Sequence, residues 1–95
     1  MAFDAIICNN DISATVTMSW LRSKGLNVPK DVAVVGFDND EGTKYLFPPL
    51  ATVDRQSEKL AKLASKMLFD RLENPELPPK CEVVPMKFIL RESAG

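Results

Sequence analysis

The sequence predicts a small α/β fold with parallel strands. Three observations predict it. Residues 5–8 (Ala-Ile-Ile-Cys) and 32–37 (Val-Ala-Val-Val-Gly-Phe) are apolar runs without alternation, the pattern of strands buried on both faces. Residues 12–24 between them place Ala14, Met18 and Leu21 on one helical stripe, with Val16 and Trp20 on a neighbouring face. The connections are short, which suits a right-handed strand–helix–strand unit.

The elements follow in order. Asn9-Asn10-Asp11 ends the first strand and offers side-chain oxygens to cap the first helix. Gly25 stops that helix, and Leu26-Asn27-Val28-Pro29 leads into the central strand. Gly36 marks a close backbone approach or a sharp turn. The acidic residues after Phe37 therefore stand at the carboxyl end of a central strand, where open α/β sheets bind ligands. Residues 41–49 form a mixed loop with one turn of helix near 43–46, closed by Pro48-Pro49. A third strand is expected at 50–53. A second helix, 56–73, carries Leu60, Leu63, Ala64, Met67, Leu68 and Leu72 at helical spacing and a Glu58–Lys62 pair on its polar side. Asn74-Pro75 ends it. Residues 81–91 read as a strand interrupted at Pro85, and 92–95 as a polar tail.

Composition narrows the function. A chain of 95 residues holds one small domain. Twelve basic side chains against 13 acidic ones give no electrostatic footprint for DNA binding by this segment alone. No window approaches the roughly 18 apolar residues of a membrane span, and the first residues lack signal-peptide character, so a cytoplasmic protein is expected. Cys8 and Cys81, with no CxxC motif and no histidine in the chain, make a poor metal site and read as reduced thiols. Neither a GxGxxG, a P-loop nor a GxSxG is present, and no cofactor is expected. Asp38, Asp40 and Glu41 could be taken for a metal or phospho-acceptor cluster, but no partner lysine can be placed. An enzyme is not expected.

The order of motifs resembles one family. Asp4-Ala5-Ile6-Ile7-Cys8-Asn9-Asn10-Asp11, the stretch from Gly25-Leu26-Asn27-Val28-Pro29 through Val34-Val35-Gly36-Phe37-Asp38, Pro48-Pro49-Leu50-Ala51-Thr52-Val53 and Phe88-Ile89-Leu90-Arg91-Glu92-Ser93 are similar to motifs of the lac/gal repressor family of bacterial transcription regulators. Any one alone is weak; together, in order, they span the chain. They match only the carboxyl-terminal part of that family's effector domain, so the chain reads as a fragment, a truncated product or a cut piece. The resemblance implies a periplasmic-binding-protein-like architecture of two subdomains, each a doubly wound parallel sheet and here only partial, with an effector in the cleft. Residues 1–53 would belong to the carboxyl-side subdomain, 54–85 to the amino-side one, and 86–95 to a return strand and tail. Crossings would lie near 53–55 and 85–87.

The resemblance also nominates residues. Asp38 stands where the family holds a sugar hydroxyl pair or a purine, and a carboxylate accepts two hydrogen bonds in fixed geometry. It can equally be a solvated loop aspartate or a helix cap. Asn10 and Asp11 match a cleft-facing pair; N-capping explains them as well, and both roles can hold at once. Arg55 stands where the family usually has Gln. It suits an anionic effector such as a sugar phosphate, or a salt bridge with Asp54 or Glu58. Gln56 replaces a frequent proline at the helix start. The family dimerises through the first helix and the loop before the double proline, here Thr15, Ser19, Tyr45, Leu46 and Phe47. The aromatic loop could instead merely cover the core.

The expected function is effector binding and dimerisation in a regulator of this type, with a small molecule shifting the equilibrium between cleft closures. Two rivals are a periplasmic sugar-binding transport receptor and a small self-associating domain without ligand. The apolar stripe of the second helix, too costly to leave in water, also predicts self-association of this chain.

Overall fold

The structure is a computed structural model that describes residues 3–95. The chain divides into two units, one built from residues up to Asp54 together with Phe88–Gly95, the other from Arg55–Lys87.

In the first unit, strand β1 (Ala5–Ile7) lies parallel to β2 (Ala33–Val35), pairing Ala5 with Ala33, Ile6 with Val34 and Ile7 with Val35. Helix α1 (Asp11–Ser23) crosses between them. The ladder continues beyond β2: Val35 bridges Ala51 in parallel, and the Gly36 and Asp38 amides donate to the Ala51 and Val53 carbonyls at 2.9 and 3.0 Å. Strand β3 (Thr52–Asp54) thus flanks the extension of β2, and it is also paired with β4 (Lys87–Ile89).

Local chemistry explains the ends of α1. Asn10 is its N-cap, in extended conformation, and its side-chain oxygen accepts the Ser13 amide at 2.7 Å. At the other end Gly25 takes φ +76°. Its amide bonds the Arg22 carbonyl while the Leu26 amide bonds Leu21, which together form a Schellman cap. Ala14, Met18 and Leu21 face inward and join Val32, Val34 and Leu50 in the core, against which Phe3, Ile6, Cys8, Leu26, Val28 and Leu46 pack. The neighbouring face of α1 stays wet: Ile12, Val16 and Trp20 are exposed.

Three sequence expectations need correction. β1 is not buried on both faces, because Ile7 is 81% exposed. The expected strand over 81–91 shrinks to Lys87–Ile89, with the Pro85 carbonyl taken by the Gln56 amide nitrogen Nε2 at 2.6 Å instead of a strand partner. The expected polar tail is a short 3-10 turn, Glu92–Ala94, that buries Ser93 completely. The Ser93 hydroxyl donates to the Val34 carbonyl at 2.6 Å and accepts the Ala51 amide at 2.8 Å. It stitches β2 to the segment leading into β3.

The second unit is built around α2 (Ser57–Glu73), which buries no residue. Gln56 caps it in the left-handed region (φ 55°), without a side-chain cap bond. Surface pairs Glu58–Lys62 (3.2 Å) and Lys66–Asp70 (2.8 Å) lie one turn apart. Asp70 also raises the pKa of Lys66. Arg71 donates to the carbonyls of Leu77 and Pro78 at 2.9 and 3.0 Å, folding the proline-rich segment back on the helix end. No helix among the described residues is long and apolar enough to cross a membrane.

Candidate functional site

The carboxyl ends of β1, β2 and β3 meet around the turn Phe37–Asp40. The Phe37 carbonyl accepts the Asp11 amide at 3.0 Å, joining this turn to the start of α1. Asp38 then adopts φ 116° and Asn39 φ 54°. Asparagine tolerates the left-handed region; aspartate at 116° is a strained residue, and such outliers concentrate at functional sites. Gly36 is required two residues earlier. A Cβ there would collide with Asp11 Oδ1 and stand 3.1 Å from a Leu50 methyl.

Asn10 and Asp38 are both half-buried at this end of the sheet. Asn10 spends one amide oxygen on the helix cap, and its NH₂ group remains chemically suited to donate to a ligand oxygen. Asp11 behaves differently from the expectation that paired it with Asn10. It is 2% exposed. Its Oδ2 accepts the Asp40 amide at 2.7 Å and its Oδ1 accepts the Thr52 hydroxyl at 2.6 Å. Both oxygens are committed inside the unit, so Asp11 serves the architecture of the turn. Arg55 is exposed and opens the second unit, immediately after β3.

Sequence reasoning missed several participants. Thr52 is fully buried and links Asp11 to the Asn39 amide, which its oxygen accepts at 3.2 Å. A threonine within a short strand gives no sign in sequence that its hydroxyl is buried against a carboxylate. Arg91 donates to Thr43 Oγ1 (2.7 Å), the Leu50 carbonyl (2.9 Å) and Asn39 Oδ1 (3.1 Å). It braces the far side of the same turn, and Ser93 follows it. Arg91 and Ser93 lie within the terminal motif Phe88–Ser93, but composition assigns neither a role.

The expected interface residues divide in two. Thr15 and Ser19 are exposed on α1 beside Ile12, Val16 and Trp20, and Tyr45 and Phe47 are 76% and 85% exposed. Leu46 is half-buried against the core. The 3-10 turn Glu41–Tyr45 brings this loop to α1. Thr15 and Leu46 line one shallow hollow of about 150 Å³, and Arg22 donates to the Phe47 carbonyl at 2.6 Å. Cys8 and Cys81 are free thiols, and no cluster of potential metal ligands exists among the described residues.

Comparison with known proteins decides the family. A model described as "periplasmic binding protein-like domain" matches residues 2–94. The chain belongs to the periplasmic-binding-protein-like family. Relatives similar to it include the HTH-type transcriptional repressor PurR of Vibrio cholerae, 39% identical over 72 residues, covering 76% of this chain and 21% of that protein. The ribose operon repressor of Haemophilus influenzae is 34% identical over 89 residues, covering 94% of this chain and 27% of the repressor. A LacI-family transcriptional regulator from Enterococcus faecium, solved with bound ribose, superposes with a TM-score of 0.89 at 28% identity, covering 99% of this chain and 35% of that one. The chain thus spans about a fifth to a third of the length of these proteins. Its periplasmic-binding-protein-like fold is that of the effector-binding domain of LacI-type regulators, and its relatives are transcriptional repressors.

Proposed function

We propose that this chain supplies one wall of an effector pocket in a cytoplasmic LacI-type regulator. The ligand is a polyhydroxylated small molecule, a sugar or a close relative. Asp38 accepts hydrogen bonds from a vicinal hydroxyl pair, and Asn10 donates to a neighbouring oxygen. In the whole regulator, differential affinity for two closures of the cleft would carry the signal to paired DNA-binding heads. Dimerisation would use Thr15, Ser19, Tyr45 and Phe47.

The observation that carries this reading is the strained Asp38 (φ 116°) at the carboxyl end of a central parallel strand. A charge-assisted hydrogen bond to such a carboxylate is worth about 1.5–3 kcal/mol. Ribose is the first probe, because ribose is bound in the E. faecium neighbour. Saturation-transfer NMR with ribose should report binding to the chain, and Asp38→Asn should weaken it about tenfold or more. Equal affinity in the two proteins would refute the assignment.

A further inference from the structure

Every backbone amide of the Asp38–Asp40 turn is fixed by a different partner. Asp38 N–H goes to the Val53 carbonyl at 3.0 Å, Asn39 N–H to Thr52 Oγ1 at 3.2 Å, and Asp40 N–H to Asp11 Oδ2 at 2.7 Å. The last two converge, because the Thr52 hydroxyl donates its own proton to Asp11 Oδ1 at 2.6 Å. One buried carboxylate therefore governs two consecutive amides, directly and through one hydroxyl. Burying a carboxylate is costly unless its lone pairs are used, and here they are used on the segment that carries the two positive-φ residues. The missing Cβ of Gly36 leaves the space Asp11 Oδ1 occupies.

We propose that Asp11, with Thr52 as its relay, is the positioning residue that holds Asp38 in its left-handed conformation and so aims the Asp38 carboxylate. The inference rests on the reading of Asp38 as the effector contact, but Asp11 itself touches no ligand. It replaces the expectation that Asp11 lines the cleft. The logic is chemical. A turn residue at φ 116° relaxes to negative φ unless the amides after it are held. An ionised carboxylate is an acceptor at both oxygens. It can therefore receive a backbone N–H and a hydroxyl proton together, which an asparagine in the same place cannot do without presenting a donor to one of them.

The test uses the isotopically labelled chain. The three-bond coupling between the amide and α protons of Asp38 reports its φ without any ligand, and amide exchange reports the Asn39 and Asp40 bonds. Thr52→Val preserves shape and removes the relay. It should shift the Asp38 coupling to a negative-φ value, deprotect the Asn39 amide, and weaken ribose binding about tenfold. Thr52→Ser keeps the hydroxyl and should restore all three. Asp11→Asn should deprotect Asn39 or Asp40 selectively, while amides in the core of α1 stay protected. If Thr52→Val folds with an unchanged Asp38 coupling, the clamp does not exist and the proposal is overturned. It is overturned equally if Thr52→Ser, the mildest change, behaves like Thr52→Val. Should the coupling respond as expected while the wild-type chain ignores ribose, the positioning stands and the effector assignment fails, so the two readings separate.

Discussion

Asp38 holds φ 116° in the turn after β2. A strained non-glycine conformation costs on the order of 1–3 kcal/mol. Asp38→Gly should relax it, raising stability by up to about 1 kcal/mol once the greater freedom of glycine in the unfolded chain is subtracted. Urea unfolding checks this, and the gain should come with lost ribose affinity. Ser93 is the converse, a residue kept for structure. Ser93→Ala strands the Ala51 amide and the Val34 carbonyl in the core, and each buried unsatisfied group costs about 1–3 kcal/mol. Its unfolding midpoint should fall well below that of Glu92→Ala, an exposed neighbour on the same turn. Residue identity foretold the first case better than the second. Gly36 and Asp38 stand out because a glycine and an acid interrupt an apolar run. Ser93 and Thr52 carry no such contrast: a lone hydroxyl looks the same in sequence whether it points to water or to a buried carbonyl.

At the scale of elements, helices were the most legible. Asn10 at one end and Gly25 at the other bound α1, and the stripe Ala14, Met18, Leu21 points at the core as periodicity requires. Short strands were less so. Residues 81–86 have strand-like composition but no ladder in the structure, since pairing depends on a partner that composition does not name. The loop before the double proline shows the same limit. Its three large residues read alike, yet Leu46 packs on the core while Tyr45 and Phe47 face water. Leu46→Asp should therefore destabilise the fold by about 2–3 kcal/mol, and Phe47→Asp should change stability by less than about 0.5 kcal/mol. If Phe47 serves association instead, its substitution should shift the sedimentation equilibrium toward monomer. Helix α2 makes a further demand. Leu60, Leu68, Phe69 and Leu72 are 46–65% exposed. Such a stripe seeks cover, because each large apolar side chain removed from water is worth about 1.5–3 kcal/mol. Light scattering should report an oligomer of this chain, and Leu68→Glu should shift it to smaller species.

For the whole molecule, the first unit carries a small parallel α/β arrangement within a periplasmic-binding-protein-like domain. It has parallel strands, a crossover helix, and a turn at their carboxyl ends held by Asp11, Thr52 and Arg91. That arrangement accounts for the family-like motifs in physical terms. The glycine of Val35-Gly36-Phe37-Asp38 makes room for Asp11, and the threonine after Pro48-Pro49-Leu50-Ala51 meets it. Arg91 and Ser93 close the turn and the sheet from the carboxyl end. Under the proposed function this turn, through Asp38, would face a polyhydroxylated ligand. The most direct measurement is an amide chemical-shift map of the labelled chain titrated with ribose to millimolar concentrations. Shifts should be concentrated at Asn10 and Asp38–Asp40 and be abolished in Asp38→Asn. Shifts confined to other surfaces, or a turn that ribose leaves unmoved, would contradict it.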